Sequence, residues 1–461
     1  MNDNTHEKNI LKRQYGLFVS ICFVVGFIVG TGIFFLPGRI LYYVGGNVRI
    51  GVLAWIIGGL TIATCVYMFS VLAAKYEHIH GFVDYCEAIV GKKYGYLAGW
   101  FFAVMYQPAG YAIIAWITSG FTATLVGITN TSEHYLLFRF SIMAFFMVAT
   151  FILNYFSPKL PVQLNVGTTV ARMLPLVLMG TVGVIAGFFI NTGEDATTAV
   201  VTFREANLFA AISAIAFAFN GWQAAVAFNS EVKDSKRNFP IALMGGFAAI
   251  IIVYVLYFVG VVWASPDGGA LIMQGGGANF AEGTRQSFAN VFGGWASHVL
   301  VGFMIISGLG ILNACCLGMS RAMYALGRRG TGPMPQRMVQ LDPATNIPKN
   351  SMVMAVCISV VWYAVILVNT AWLTGFRFWL PDFYNFAFFA MLVPLFFYFM
   401  LREKGTVLKR FVAPIIAIAG ASFMFATYWM GSWLHAVVYT ATFIFLAIIG
   451  FFFSREKRAN V

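Results

Sequence analysis

Twelve apolar segments follow one another along this chain, at 15–44, 49–75, 93–127, 136–156, 163–190, 207–230, 240–263, 291–320, 351–370, 379–401, 411–430 and 433–453. A hydrocarbon layer about 30 Å thick takes roughly 20 apolar residues as a helix, and each segment meets that length. No water in lipid satisfies backbone N–H and C=O groups, so a span of this kind must close its hydrogen bonds within itself, as a helix does. Sixty per cent hydrophobic and ten per cent charged residues, with a mean hydropathy of +0.80, leave too little polar surface for a soluble chain of 461 residues. The expectation is an all-α polytopic membrane protein of twelve transmembrane helices. It forms one transmembrane domain over 1–461, with an N-terminal segment at 1–14, spans 1–5 over about 15–190, spans 6–10 over about 207–401, spans 11–12 over about 411–453, and a tail at 454–461.

Sidedness follows from the cations. An even number of spans puts both termini on one side. With the N-terminus inside, Lys8, Lys12, Arg13, Lys75, Lys92, Lys93, Lys159, Lys233, Lys236, Arg237, Arg321, Arg328, Arg329, Arg337, Lys349, Arg402, Lys404, Lys409, Arg410, Arg455, Lys457 and Arg458 fall in cytoplasmic segments, 22 of the 29 Lys and Arg residues. Arg49, Arg204, Arg285 and Arg377 fall outside, with Arg139 near the outer edge of span 4. That is the positive-inside pattern, so the net charge of +12 records topology and not nucleic-acid binding. Both termini are expected in the cytoplasm. Residues 1–14 are polar and no small-residue cleavage site follows, so no cleavable signal is read there. Cys22, Cys65, Cys86, Cys315, Cys316 and Cys357 show no C-x-x-C spacing and read as packing residues; no metal and no cofactor is expected.

The first span contains GFIVGTGIFFLPG, Gly26–Gly38. Glycine costs roughly 1 kcal/mol against alanine in a helix interior and proline about 3. Two readings fit. Gly26, Gly30 and Gly38 suit a small-residue packing seam, whereas Gly30-Thr31-Gly32 suits a broken helix whose exposed N–H groups meet an anion and whose C=O groups meet a cation. A phosphate loop is excluded, since no Gly-Lys-Ser/Thr follows. Asn220-Gly221, five spans on in mid-span 6, tips the balance to breaks. Two interrupted helices at matching places in two halves are the sequence pointer to a transport site. Spans 1–5 and 6–10 would then be the repeats, with 11–12 appended.

Around these residues the chain resembles a known family. VGTGIF (Val29–Phe34) is similar to the span 1 signature of amino acid–polyamine–organocation permeases. FAFNGW (Phe217–Trp222), with Glu231-Val-Lys-Asp and Arg237-Asn-Phe-Pro240, resembles the L-type amino acid transporter branch, and is similar to bacterial serine/threonine and alanine/serine/cysteine exchangers. LAWIIGGL (Leu53–Leu60) and Ile311–Pro335 fit spans 2 and 8 of that group. The resemblance implies a LeuT-type fold with a 5+5 inverted repeat and broken helices 1 and 6, in a bacterial plasma membrane. It implies that the substrate carboxylate meets N–H groups of Thr31, Gly32 and Ile33, and that its ammonium meets carbonyls of Ile28, Phe217, Ala218 and Asn220. Phe217 would lie over the substrate as a gate and Gln223 beside the site. Without the motif, Phe217 and Phe219 would read as core or lipid-facing rings, Trp222 as structural, and Tyr106 with Pro108 as a kinked wall.

Arg172 lies about ten residues into span 5. An intramembrane charge costs at least about 2.5–3.5 kcal/mol on insertion scales and is a functional hypothesis by default; the alternative is that it reaches cytoplasmic water. The resemblance implies that it stands where sodium-coupled relatives hold sodium, bridging the span 1 break and span 8, where Asn313 and Ser320 are candidate partners. Arginine cannot practically shed its proton, which points to sodium-independent exchange without protonation there. A proton-coupled symporter and a permease for a non-amino-acid solute are the alternatives. Span 2 departs from the family pattern, with Val71, Glu77 and His80 where glutamate, proline and glycine are usual. No Asp or Glu lies deep in a span, which disfavours cationic substrates; neutral amino acids are the default, with an acidic side chain meeting Arg172 as the alternative. No buried His/Asp/Glu or Ser/His set suggests an enzyme, and no filter suggests a channel. The expected partners are amino acid substrates and the bilayer. Eukaryotic members of the branch pair with a glycoprotein, but nothing here requires a partner subunit.

Overall fold

The computed structural model describes residues 15–76, 81–128, 131–157, 160–190, 206–226, 229, 232–265, 269, 272, 280–343, 345, 347–372 and 378–454. The cations of 1–14 and 455–461, Lys159, Arg204, Arg377, Glu231 and the span 2 residues Glu77, His78 and His80 lie outside them.

The described chain is helical. In order come α1 (Leu17–Ile28), α2 (Gly32–Tyr43), α3 (Val48–Lys75) and α4 (Phe82–Ile89). The long α5 (Lys92–Val126) follows, then α6 (Tyr135–Phe156), α7 (Leu160–Leu178) and α8 (Val184–Ile190), the last two joined by a π turn at Met179–Gly183. Next are α9 (Leu208–Ile215), the short α10 (Trp222–Ala225), α11 (Ser235–Trp263), α12 (Phe280–Phe292), α13 (Gly294–Arg328), α14 (Pro335–Met338), α15 (Lys349–Ala371) and α16 (Leu380–Arg402). The chain closes with α17 (Leu408–Gly431) and α18 (Trp433–Phe452). Among the described residues, ten helices are long and apolar enough to cross a membrane, or eleven with α1 and α2 taken as one span bent by 55°.

The remaining segment of the twelve expected is 207–230. Segment 207–230 breaks into α9, six residues of turn, and α10. Its length is interrupted by the very feature that marked it out. Pro37 lies inside α2, past the break. Cys22 and Cys357 are exposed on helix faces, so packing accounts only for the other cysteines.

Helix α3 packs on α11, and α1 leans on α11 beside it. On the other side α5 lies against α6 and α13, and α13 against α15 and α7. Helix α16 packs along α17. The two broken segments run between these groups. Trp55 of α3, Phe219 and Tyr254 form one aromatic cluster, with ring centroids 5.2–5.9 Å apart. It buries the turn after α9 against α3 and α11, so the apolar halves of the helices fix where the irregular backbone sits.

Candidate functional site

Helix α1 stops at Ile28 because Val29 turns extended, at φ −68° and ψ 111°. Helix α2 restarts at Gly32, and Thr31 stands at its N-cap without making a side-chain cap. The first N–H groups of a helix have no partner within it, so the start of α2 offers donors at the break. Thr31 Oγ1 is buried there and has no hydrogen-bond partner among the described residues.

The second break is a run of tight turns. Phe217 N–H donates to Ala214 O at 3.3 Å, Ala218 N–H to Ile215 O at 3.0 Å, and Asn220 N–H to Phe217 O at 3.4 Å. Gly221 then adopts φ +110°. A Cβ on Gly221 would lie 2.1 Å from the Phe27 carbonyl oxygen, so the two breaks touch where only glycine fits. Gly32 makes the reciprocal contact: a Cβ there would fall 2.8 Å from the Phe217 ring. Phe217 therefore covers the start of α2 and also meets Phe35, at 5.8 Å between centroids.

Three side chains brace the breaks, and the first of them spans both. Tyr254 of α11 places its hydroxyl 3.2 Å from Ala218 O and 3.5 Å from Ile28 O. One proton serves two carbonyls, which leaves acceptor capacity between them. Gln223 accepts from Gly221 N–H at 3.1 Å and donates to the Tyr106 hydroxyl. Tyr106 ends a π turn in α5 at Phe101–Tyr106, so the expected kinked wall is also a hydrogen-bonding partner.

Arg172 is the third. Its Nη1 donates to Val29 O at 2.8 Å, its Nε to Thr168 O at 3.1 Å and its Nη2 to Thr168 Oγ1 at 3.2 Å. It is 2% exposed, so it does not reach out to water. Val29 O lies at the C-terminal end of α1, where the helix dipole favours a cation. The bridge to the first break is present. Toward α13 the expected partners are Asn313 and Ser320. Asn313 Oδ1 accepts from Asn154 at 2.7 Å, and the Ser320 hydroxyl has no hydrogen-bond partner among the described residues. The close approach is made at Gly310, where a Cβ would lie 2.3 Å from Thr168 Oγ1 and 3.2 Å from Arg172 Nη2. Room for the guanidinium comes from a missing side chain, which a search for polar partners overlooks.

Sequence reasoning also passed over Arg39. It is buried in α2 and pairs with Asp382 of α16 at 3.0 Å. It donates to the Tyr43 hydroxyl at 3.1 Å and lies over the Trp379 ring at 4.8 Å. An arginine eight residues past the first break was the available signal; Asp382 read merely as a helix end. At the other end of α16, Glu403 meets Lys75 and the Tyr76 hydroxyl. Partial burial pushes the Glu403 carboxyl up, but these two partners outweigh it and hold it below the ordinary carboxylate range. Arg329 bridges Asp84 at 2.5 Å and Glu87 at 2.8 Å.

Known proteins resemble this chain over most of its length. The profile of the family described as amino acid permease matches residues 15–455. The serine/threonine exchanger SteT of Bacillus subtilis (strain 168) is 23% identical over 426 residues, 91% of each chain. The Asc-type amino acid transporter 1 of Mus musculus is 25% identical over 346 residues, 74% of this chain and 63% of that one. The large neutral amino acids transporter small subunit 2 of Oryctolagus cuniculus is 25% identical over 345 residues, 73% of this chain and 62% of that one.

Proposed function

This chain belongs to the amino acid permease family, and from that premise we propose that it exchanges neutral L-amino acids by alternating access, without sodium. It is an integral membrane transporter of amino acids and not an enzyme. The finer reading is a LeuT-type fold of twelve spans over 1–461, in which the interrupted segment 207–230 is span 6. Spans 1–5 and 6–10 form inverted repeats, both termini are cytoplasmic, and the membrane is a bacterial plasma membrane. SteT is named an exchanger, and a second relative is named a small subunit; this chain is proposed to follow the first and to work without a partner subunit.

In this reading the substrate carboxylate meets the N–H groups of Thr31, Gly32 and Ile33. The ammonium meets the carbonyls of Ile28, Phe217, Ala218 and Asn220. Tyr254, with one proton for two of those carbonyls, leaves them able to accept. Phe217, packed on Gly32, is the gate, and Gln223 holds the second break in shape. The observation that carries the exchange reading is the guanidinium of Arg172 on Val29 O. A permanent cation at the break supplies without sodium the charge that a coupled ion would bring and take away. With nothing to dissipate, substrate moving one way drives substrate moving the other.

The experiment is uptake of labelled neutral amino acids into proteoliposomes, preloaded with unlabelled amino acid or empty. Uptake confined to preloaded vesicles, and indifferent to sodium and proton gradients, is expected. Uptake into empty vesicles that needs either gradient would overturn exchange and the role given to Arg172.

A further inference from the structure

Six cations from two distant stretches of chain meet at one corner of the helix bundle. Lys92 and Lys93 open α5, and Arg402, Lys404, Lys409 and Arg410 flank the turn between α16 and α17. Arg402 joins the two stretches. Its Nη1 donates to Ile89 O at 2.8 Å and to Val90 O at 3.2 Å, at the C-terminal end of α4. Lys92 and Lys93 follow directly on Val90 and Gly91, so this contact brings them beside the α16–α17 turn. None of the six forms an ion pair among the described residues. The acid within the turn, Glu403, is paired with Lys75. No Asp or Glu occurs in 88–101 or in 404–412. The corner is a concentrated positive charge with no carboxylate left to answer it.

Three features set it apart from cations merely scattered along one side of a membrane protein. Helices α5 and α17 both begin here, and their N-cap positions, Gly91 and Val407, supply no side-chain cap. Their first N–H groups are therefore open, and two positive dipole ends add to the six side chains. Secondly, the turn ends in an apolar tip. Val407 and Leu408 are 70% and 56% exposed, between Lys404 and Lys409. Apolar groups flanked by cations suit the boundary between acyl chains and headgroups, where each part finds its own medium. Thirdly, Arg402 lies over the Tyr398 ring at 5.1 Å and Arg410 over the Phe411 ring at 4.7 Å. Both rings are exposed on the helix surface, which holds the guanidinium groups at that boundary and not out in water.

We propose that this corner binds the headgroup of an anionic phospholipid, and fits best one carrying two phosphates. Lys92 and Lys93 form one group of donors, Lys404, Lys409 and Arg410 the other, with Arg402 between them. Phosphate oxygens accept charge-assisted bonds from either group and from the open N–H ends, while acyl chains lie against Val407, Leu408 and the lipid-facing side of α17. A choline headgroup carries its own cation, which six like charges repel. The proposed orientation of the chain makes this the inner leaflet; the class of lipid does not rest on it.

The test measures thermal stabilisation of the full-length protein, delipidated in neutral detergent at low salt, by cardiolipin, phosphatidylglycerol, phosphatidylcholine and inorganic pyrophosphate. Cardiolipin is expected to act at about tenfold lower concentration than phosphatidylcholine or better, and added salt to erode the difference. A cation beside anionic lipid is worth about fivefold in binding. The triple variant Lys404→Gln, Lys409→Gln, Arg410→Gln is thus expected to weaken the cardiolipin effect about tenfold or more, and Lys92→Gln with Lys93→Gln about fivefold or more. The control removes three exposed cations at the same end of the bundle, Arg321→Gln, Arg328→Gln and Arg337→Gln, and is expected to stay within about twofold. Lipid retained by each purified protein, counted by native mass spectrometry, reports binding independently of stability. Equal losses in the control, or no loss in the Lys92 and Lys93 variant, would overturn a site shared by the two stretches. Equal action of phosphatidylcholine, or of pyrophosphate alone, would overturn the anionic lipid as its occupant.

Discussion

Arg172 and Gly310 act as one unit, although they lie on different helices. The guanidinium reaches Val29 O only because α13 presents no side chain at Gly310. Gly310→Ala should therefore slow exchange about tenfold or more, since a Cβ would strike Thr168 Oγ1 at 2.3 Å and press on Arg172. Ser320→Ala should stay within about twofold, because its hydroxyl bonds nothing among the described residues. Initial exchange rates, normalised to folded protein by size exclusion, separate the two. Equal effects would restore Ser320 as the partner and remove Gly310 from the account. Gly221 shows the same logic in backbone form. Its positive φ and its contact with Phe27 O each require glycine, and together they fix the distance between the two breaks.

Among the elements, α16 is pinned near both ends by charge. Asp382 is held by Arg39 of α2, and Glu403 by Lys75 at the end of α3. The first pair is buried. Removing one partner of a buried pair strands the other, at about 3–5 kcal/mol, whereas replacing both with apolar residues is often neutral. Asp382→Ala should thus lower thermal stability sharply, and Arg39→Met with Asp382→Leu should recover most of it. Melting curves of the single and double variants decide; equal losses would mean that the pair does more than neutralise itself. The second pair is partly solvated and screened, so its effect is small. With the folded Glu403 carboxyl held below its ordinary range, its contribution is present above the unfolded value of about 4.3 and is lost as pH falls through the lower folded value. Glu403→Gln should flatten the decline in melting temperature over that acidic window and leave neutral pH nearly unchanged. A decline as steep as that of the natural protein would place the titrating group elsewhere.

For the whole molecule, the decisive question is whether 207–230 crosses the bilayer. Eleven spans put the termini on opposite sides and twelve put them together. Protease-removable tags at both ends, assayed in right-side-out and inverted vesicles, are expected to be cut together and only in inverted ones. Tags cut in opposite vesicles would make the interrupted segment re-entrant. The chain's linear order already carried the class, the approximate spans, both breaks and the buried arginine. Apolar length, glycine placement and an intramembrane charge are local properties, priced by the bilayer whatever the helices later pack against. Packing alone decided the rest. Gly310 became room for Arg172, Tyr254 came to sit between two carbonyls, and Arg39 found Asp382 343 positions away. Each depends on which faces of separate helices meet, and sequence spacing carries no distance between helices until the fold brings them together.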